Sequence, residues 1–157
     1  MPDHYEVYLA RYTFAVQDPD TTGTRYHTTI FVQTAPDGSG ILHQVTGDIT
    51  SASGMCYFPQ DKKEQDRIQA PHSLERLGVT PAAKHPDDWT HLLSTVPAPR
   101  QQKAFNIKTM RTEPFKTKDP LTFYEPGEAR RPLVKCTEWT LEQALPALRA
   151  SGLLVPE

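Results

Sequence analysis

Tyr26-His27-Thr28-Thr29-Ile30-Phe31-Val32-Gln33 is the stretch on which the fold turns. It is a run of β-branched and aromatic residues whose alternation puts His27, Thr29 and Phe31 on one face of a strand and Thr28, Ile30 and Val32 on the other. Before it, Asp18-Pro19-Asp20-Thr21-Thr22-Gly23 carries turn chemistry. Further upstream Tyr5, Val7 and Leu9 alternate with Glu6, Tyr8 and Ala10 in a first strand expected to run through Val16. After it, Pro36-Asp37-Gly38-Ser39-Gly40 tolerates tight-turn dihedrals, and 41–46 reads as a third strand antiparallel to the second. Gly47 and Gly54 bracket a loop before a short strand at 55–58.

The character changes over 59–132, where ten of the 15 prolines interrupt every long periodic pattern. This segment reads as an irregular connector with short helices at 73–77 and 86–93, and a last strand at 121–124. The remainder, 133–155, reads as an amphipathic helix starting near Cys136, with Trp139, Leu141, Ala144, Leu145 and Leu148 as its apolar stripe. Pro146 is expected to kink or divide it, and Gly152 to stop it. The expectation is one α+β domain: an antiparallel sheet, a C-terminal helix packed on it, and a Pro-rich irregular insertion.

A chain of 157 residues, 37% hydrophobic and 23% charged, buries a core without needing disulfides or a structural metal. A formal net charge of -2 gives no field for a polyphosphate, so nucleic acid is a poor partner. The first residues lack the basic and apolar regions of a signal peptide, and no apolar run is long enough to span a bilayer. A cytosolic location follows as the expectation, with Cys56 and Cys136 as separate free thiols. No G-x-S-x-G, Walker-type, G-x-G-x-x-G or H-E-x-x-H pattern occurs, and nothing requires a cofactor.

Cys136 is the residue with chemistry to explain. A thiol at a helix start meets unpaired backbone N–H groups and the positive end of the macrodipole, which favour thiolate, and Lys135 adds positive potential. The bland reading is a small buried hydrophobe at a helix start. His27, at the opening of the second strand, can present its imidazole at a sheet edge toward a helix; the bland reading is a histidine bonded to a backbone carbonyl. If the hairpin closes with Thr34 opposite Gly40, His43 faces Phe31 and shares His27's face, on the order of 13 Å further along. Cys56 is expected to be buried and inert, and His4, His72, His85 and His91 to be surface or capping residues.

Three segments in order carry a resemblance: Tyr26-His27-Thr28-Thr29-Ile30-Phe31-Val32, then Gly40-Ile41-Leu42-His43-Gln44-Val45-Thr46-Gly47, then Lys135-Cys136-Thr137-Glu138-Trp139. The arrangement resembles the circularly permuted papain-like superfamily, in particular its lecithin:retinol acyltransferase-like branch, and is similar to the PPPDE deubiquitinase-like peptidases. It also resembles a set of uncharacterised fungal proteins with a histidine-started Ile-Phe-Val strand and a Cys-x-x-Trp helix. The resemblance implies a permuted papain-like fold, Cys136 as nucleophile, His27 as base and His43 as orienting residue.

The chemistry so implied is hydrolysis or acyl transfer on an amide, ester or thioester through a Cys136 thioester. The Cys136 N–H, with Tyr26 as a second donor, is expected to hold the oxyanion. The alternative is a binding or interaction domain that kept the fold without turnover. The acyl substrate, whether small molecule, lipid or peptide, and the oligomeric state are left open.

Overall fold

The structure, a computed structural model, describes residues 2–14, 17–20 and 23–156. In chain order it contains β1 (His4–Thr13), β2 (Tyr26–Gln33), β3 (Gly40–His43), β4 (Val45–Gly47), β5 (Met55–Tyr57), β6 (Gln60–Asp61), α1 (Lys62–Ile68), β7 (Ser73–Pro81), α2 (Asp87–Thr95), β8 (Lys103–Asn106), β9 (Arg111–Thr117) and β10 (Thr122–Phe123). A last helix, α3, spans 136–150. The main sheet has the order β6-β3-β2-β1-β7 and is antiparallel throughout, with β8, β9 and β10 in a three-stranded sheet and β4–β5 in a hairpin of their own. The expected α+β class, antiparallel sheet and C-terminal helix are present. Val16, and Thr21 and Thr22 of the expected turn, lie outside the described residues.

The sheet has two covered faces. On one, Val7, Leu9, Ile30 and Val32 pack against Trp139, Leu145 and Leu148 of α3 and Trp89 and Leu93 of α2. Two amphipathic helices and a half-apolar sheet can bury their apolar sides only against one another. On the other face Ala10, Tyr12, Phe31 and Leu42 form a smaller cluster beside α1, whose Lys62 ammonium lies 5.3 Å from the centre of the Phe31 ring and whose Asp66 accepts from the Tyr12 hydroxyl at 3.2 Å.

Four expectations need correction. Residues 73–77 form the first half of edge strand β7, not a helix: β1 pairs with β7 from His4↔Pro81 to Arg11↔Ser73. Leu74-Glu75-Arg76-Leu77 has helix-forming composition, but the ladder of an otherwise bare edge outweighs a weak local preference. Within the expected irregular connector, β8, β9 and α1 are regular elements. The third strand does not run through 46; it leaves the sheet at Gln44, and Val45–Gly47 pairs with Met55–Tyr57 instead.

The fourth concerns α3. Pro146 does not divide it: the winding widens to a π-helix over Trp139–Ala144, with the Leu145 N–H reaching the Thr140 carbonyl, and returns to α over Leu145–Ala150. Proline crowds the carbonyl four residues back, and a wider turn before it makes room. The wider pitch shifts the buried stripe, so Thr140 is fully buried while Leu141 is 37% exposed. Trp139, Ala144, Leu145 and Leu148 are buried as expected. Gly152, at φ 81°, ends the helix, with the Leu153 and Leu154 N–H groups returning to the Leu148 carbonyl.

Candidate functional site

The site begins with an unequal pairing. β1 pairs with all of β2, from Glu6↔Gln33 to Thr13↔Tyr26, but β3 pairs only with 30–33, because the chain leaves the sheet after His43. The other edge of β2 over 26–29 is left without a strand, and buried backbone groups there need partners. The start of α3 supplies them. The Tyr26 carbonyl accepts from the Thr137 hydroxyl at 3.3 Å and from the Cys136 thiol at 3.9 Å, and the Thr28 carbonyl accepts from the Thr140 hydroxyl at 3.1 Å. Thr28 and Thr137 also share a hydroxyl hydrogen bond at 2.9 Å. Cys136, 3% exposed, is thereby fixed against the strand that carries His27.

The Cys136 thiol and the His27 imidazole line the same cleft, close enough that each shifts the other's protonation. Nε2 of His27 lies 2.7 Å from the Gln44 side-chain oxygen, and Nδ1 is the ring nitrogen that Gln44 does not engage. The Gln44 amide nitrogen donates to the Gln60 side-chain oxygen at 2.8 Å, so its orientation is set and its oxygen is presented to the imidazole. Burial alone pushes the Cys136 thiol up, but the His27 imidazole, the Thr28 N–H and the Thr137 hydroxyl together bring it below its ordinary value. For His27 burial acts downward, and the Cys136 sulfur and Gln44 outweigh it, raising the imidazole. Opposite shifts of adjacent partners favour a thiolate–imidazolium pair.

The helix start is anchored by charge. Arg25 grips Glu138 through two 2.8 Å hydrogen bonds, and Glu138 also accepts from the Lys135 backbone N–H, capping the helix. The Lys135 ammonium pairs with Asp18 at 3.0 Å, so part of its positive potential is spent on that carboxylate. Lys103, buried, bridges Asp18 and Asp20. The Cys136 backbone N–H, first in the helix, has no hydrogen-bond acceptor among the described residues.

A cleft of about 300 Å³ opens onto the pair, walled by Phe14, Ile49, Met55 and Lys135 with His27 and Cys136 at its base. It shares Phe14, Asp48, Ile49 and Lys135 with a neighbouring, more polar cavity of about 420 Å³. No group of three or more His, Cys, Asp or Glu side chains is placed to hold a metal ion among the described residues.

His27 and Cys136 are thus brought together, and His43 is not with them. The hairpin is one residue shorter than expected: Thr34 N–H bonds the Ser39 carbonyl, Gln33 pairs with Gly40, and His43 stands opposite Ile30. A one-residue slip moves every side chain to the other face. His43 is fully buried on the α2–α3 side, its ring nitrogens 2.7 Å from the Tyr57 hydroxyl and 2.9 Å from His85 Nε2. The same slip brings Gln44 to His27. Its only sign in the sequence was its place next to His43. Gly40 helps set this register, since a Cβ there would lie 2.0 Å from the Val32 carbonyl oxygen.

Tyr26 offers its carbonyl to the thiol, while its ring stacks on His72 at 4.4 Å outside the cleft lining. Cys56 is exposed, not buried, opposite Thr46 in the β4–β5 hairpin. His4, His72 and His91 are at the surface, but His85 is buried against His43. Arg25 was not singled out by its neighbours in sequence; Glu138, third in the helix, had the capping-box position as its signal.

Among the described residues no helix is long and apolar enough to cross a membrane. No curated protein and no solved structure matches the chain. Residues 7–155 match the profile described as a family of unknown function (DUF6540), and the chain belongs to that family.

Proposed function

We propose that the protein is a cysteine-dependent hydrolase or acyltransferase in which Cys136 is the nucleophile, His27 the base and Gln44 the residue that orients the base. The observation that carries this is the position of His27: one ring nitrogen is 2.7 Å from the Gln44 oxygen, and the imidazole shares a cleft with a thiol at a helix start that it pulls below its ordinary value. A strand-borne histidine and a later helix-borne cysteine also support placing the chain with the permuted papain-like enzymes.

The thiolate attacks the carbonyl carbon of an amide, ester or thioester, forming the C–S bond as the carbonyl π-pair moves to oxygen. The Cys136 N–H, lacking another acceptor, is placed to receive that oxyanion. On collapse, the imidazolium passes its proton to the leaving amine, alcohol or thiol. Neutral His27 then takes a proton from water or an acceptor hydroxyl or amine, which attacks the thioester and releases the thiol. Gln44, accepting from Nε2–H, holds the ring through both transfers.

One observation favours a binding domain without turnover: only 3% of Cys136 is exposed. The two readings part on a single experiment, incubation with p-nitrophenyl acetate followed by intact-mass and peptide mass spectrometry. An enzyme gives a nitrophenolate burst and an acetyl group on Cys136 that turns over. Acetylation spread over surface lysines, with Cys136 unmodified, refutes the proposal.

A further inference from the structure

The largest apolar cavity near the helix start is not the thiol cleft. It encloses about 470 Å³ on the other side of Val134, between the 97–102 strap, β9 and the 132–134 segment. Its walls include Pro97, Pro99, Pro114 and Pro132, whose fixed backbone angles make a preformed, rigid pocket. The Gln102 side chain locks two of these walls together, bonding the Val134 N–H at 2.7 Å and the Val134 carbonyl at 2.6 Å. Arg100 and Arg131 are in its lining and also line an adjoining cavity of about 300 Å³ together with Lys116 and Lys118. No aspartate or glutamate lines either cavity.

The charges in these linings are unevenly compensated. Lys116 is paired with Glu128, and Lys118 donates to the Ala52 carbonyl at 3.4 Å. Arg131 is held by neutral oxygens only, the Tyr124 hydroxyl at 3.2 Å and the Lys116 carbonyl. The Arg100 side chain has no hydrogen bond or ion pair among the described residues and is exposed. A guanidinium fixed by neutral acceptors keeps its full charge and has donors left for a planar oxyanion. An apolar chamber of ligand-sized volume lined by two guanidiniums without a carboxylate partner, one of them fixed, is complementary to one kind of molecule.

We propose that this cavity binds a small amphipathic anion, with its apolar body between the proline walls and its carboxylate or phosphate head on Arg100 and Arg131. The site lies outside the Cys136 cleft and does not depend on the protein being an enzyme.

The test is calorimetric titration of the full chain with decanoate, decyl phosphate, decyltrimethylammonium and acetate, all below micelle-forming concentration. Decanoate or decyl phosphate saturates one site, the tighter of the two identifying the head group, while the cationic amphiphile and acetate do not. R100E weakens binding at least about tenfold and R131Q does likewise. R100E, at an exposed side chain without partners, keeps the parent melting temperature and so carries the test even where R131Q folds poorly. Binding of the cationic amphiphile as tightly as the anions, saturation by neither anion, or unchanged affinity in R100E would overturn the proposal.

Discussion

The Gln44 side-chain oxygen lies 2.7 Å from His27 Nε2, although 17 positions separate the two in the chain and they stand on different strands' ends. The contact exists because β3 runs antiparallel to β2 and stops at His43, opposite Ile30, so that Gln44, the next residue, lies beside the start of β2. A neutral amide as the partner has a chemical consequence: it fixes the ring without adding a full negative charge beside it.

From that geometry, Gln44→Ala should slow iodoacetamide alkylation of Cys136 and any turnover by about tenfold, and Gln44→Asn, one methylene too short to reach the ring, should restore neither. Gln44→Glu should raise the His27 pKa further. Alkylation rates against pH read both effects. Unchanged profiles in Gln44→Ala and Gln44→Glu would remove Gln44 from the site.

The thiol itself should stand apart from its counterpart. Cys136 is lowered from its ordinary value by His27 and the helix-start donors, whereas Cys56 is exposed in a hairpin. At pH 6–7 Cys136 should therefore alkylate faster than Cys56 with a small reagent, despite its burial, and His27→Ala should abolish the difference. Peptide mapping after a timed quench measures both sites at once. Equal rates in the parent protein would be the contrary result.

Acid should destabilise the fold through the His43–His85 pair. Burial pushes His85 down to about 4 and His43 well below its ordinary range, the charge of His85 adding to the effect on His43. For a histidine with a depressed folded value, the unfolded chain binds the proton first, so stability is full above about pH 6.5 and is lost as pH falls toward the folded value. Chemical denaturation at pH 7.5 and pH 5 should show a loss of about 4 kcal/mol, about 2 from each histidine, and about half of it in His85→Gln, whose neutral amide does not titrate while His43 stays buried.

Trp139 is fully buried in the main core, on the helix turn that follows Cys136. Trp139→Ala should cost about 3–5 kcal/mol. Thermal and urea melts measure it, and a parent-like melt would contradict the burial.

The Arg25–Glu138 clamp holds the same helix start from outside. Glu138→Ala removes a two-pronged ion pair and the cap on Lys135 N–H together, and should cost about 1–2 kcal/mol. Because the thiol's donors depend on that turn, the variant should also alkylate more slowly at Cys136 than Glu138→Asp does. Loss of stability with unaltered alkylation would make the clamp purely structural.

What the sequence by itself determined was local: the strand periods of β1 and β2, the turn at 36–40, the helix opening at Cys136 and the burial of Trp139. These follow from alternation, turn residues and an amphipathic stripe, each set by neighbours within a few positions. From the same local signals His27 and Cys136 stood out singly, but their meeting in one cleft was not among them. The tertiary structure decided the rest. A hairpin one residue tighter than the turn residues suggested exchanged His43 for Gln44, because side-chain direction has a period of two and no residue type records which register closes. Strand β7 follows from the empty edge of β1 against a helical local preference, and the π turn from room needed ahead of Pro146. The arginine-lined cavity, too, is made by segments 97–102, 111–117 and 132–134, which come together only in the folded chain.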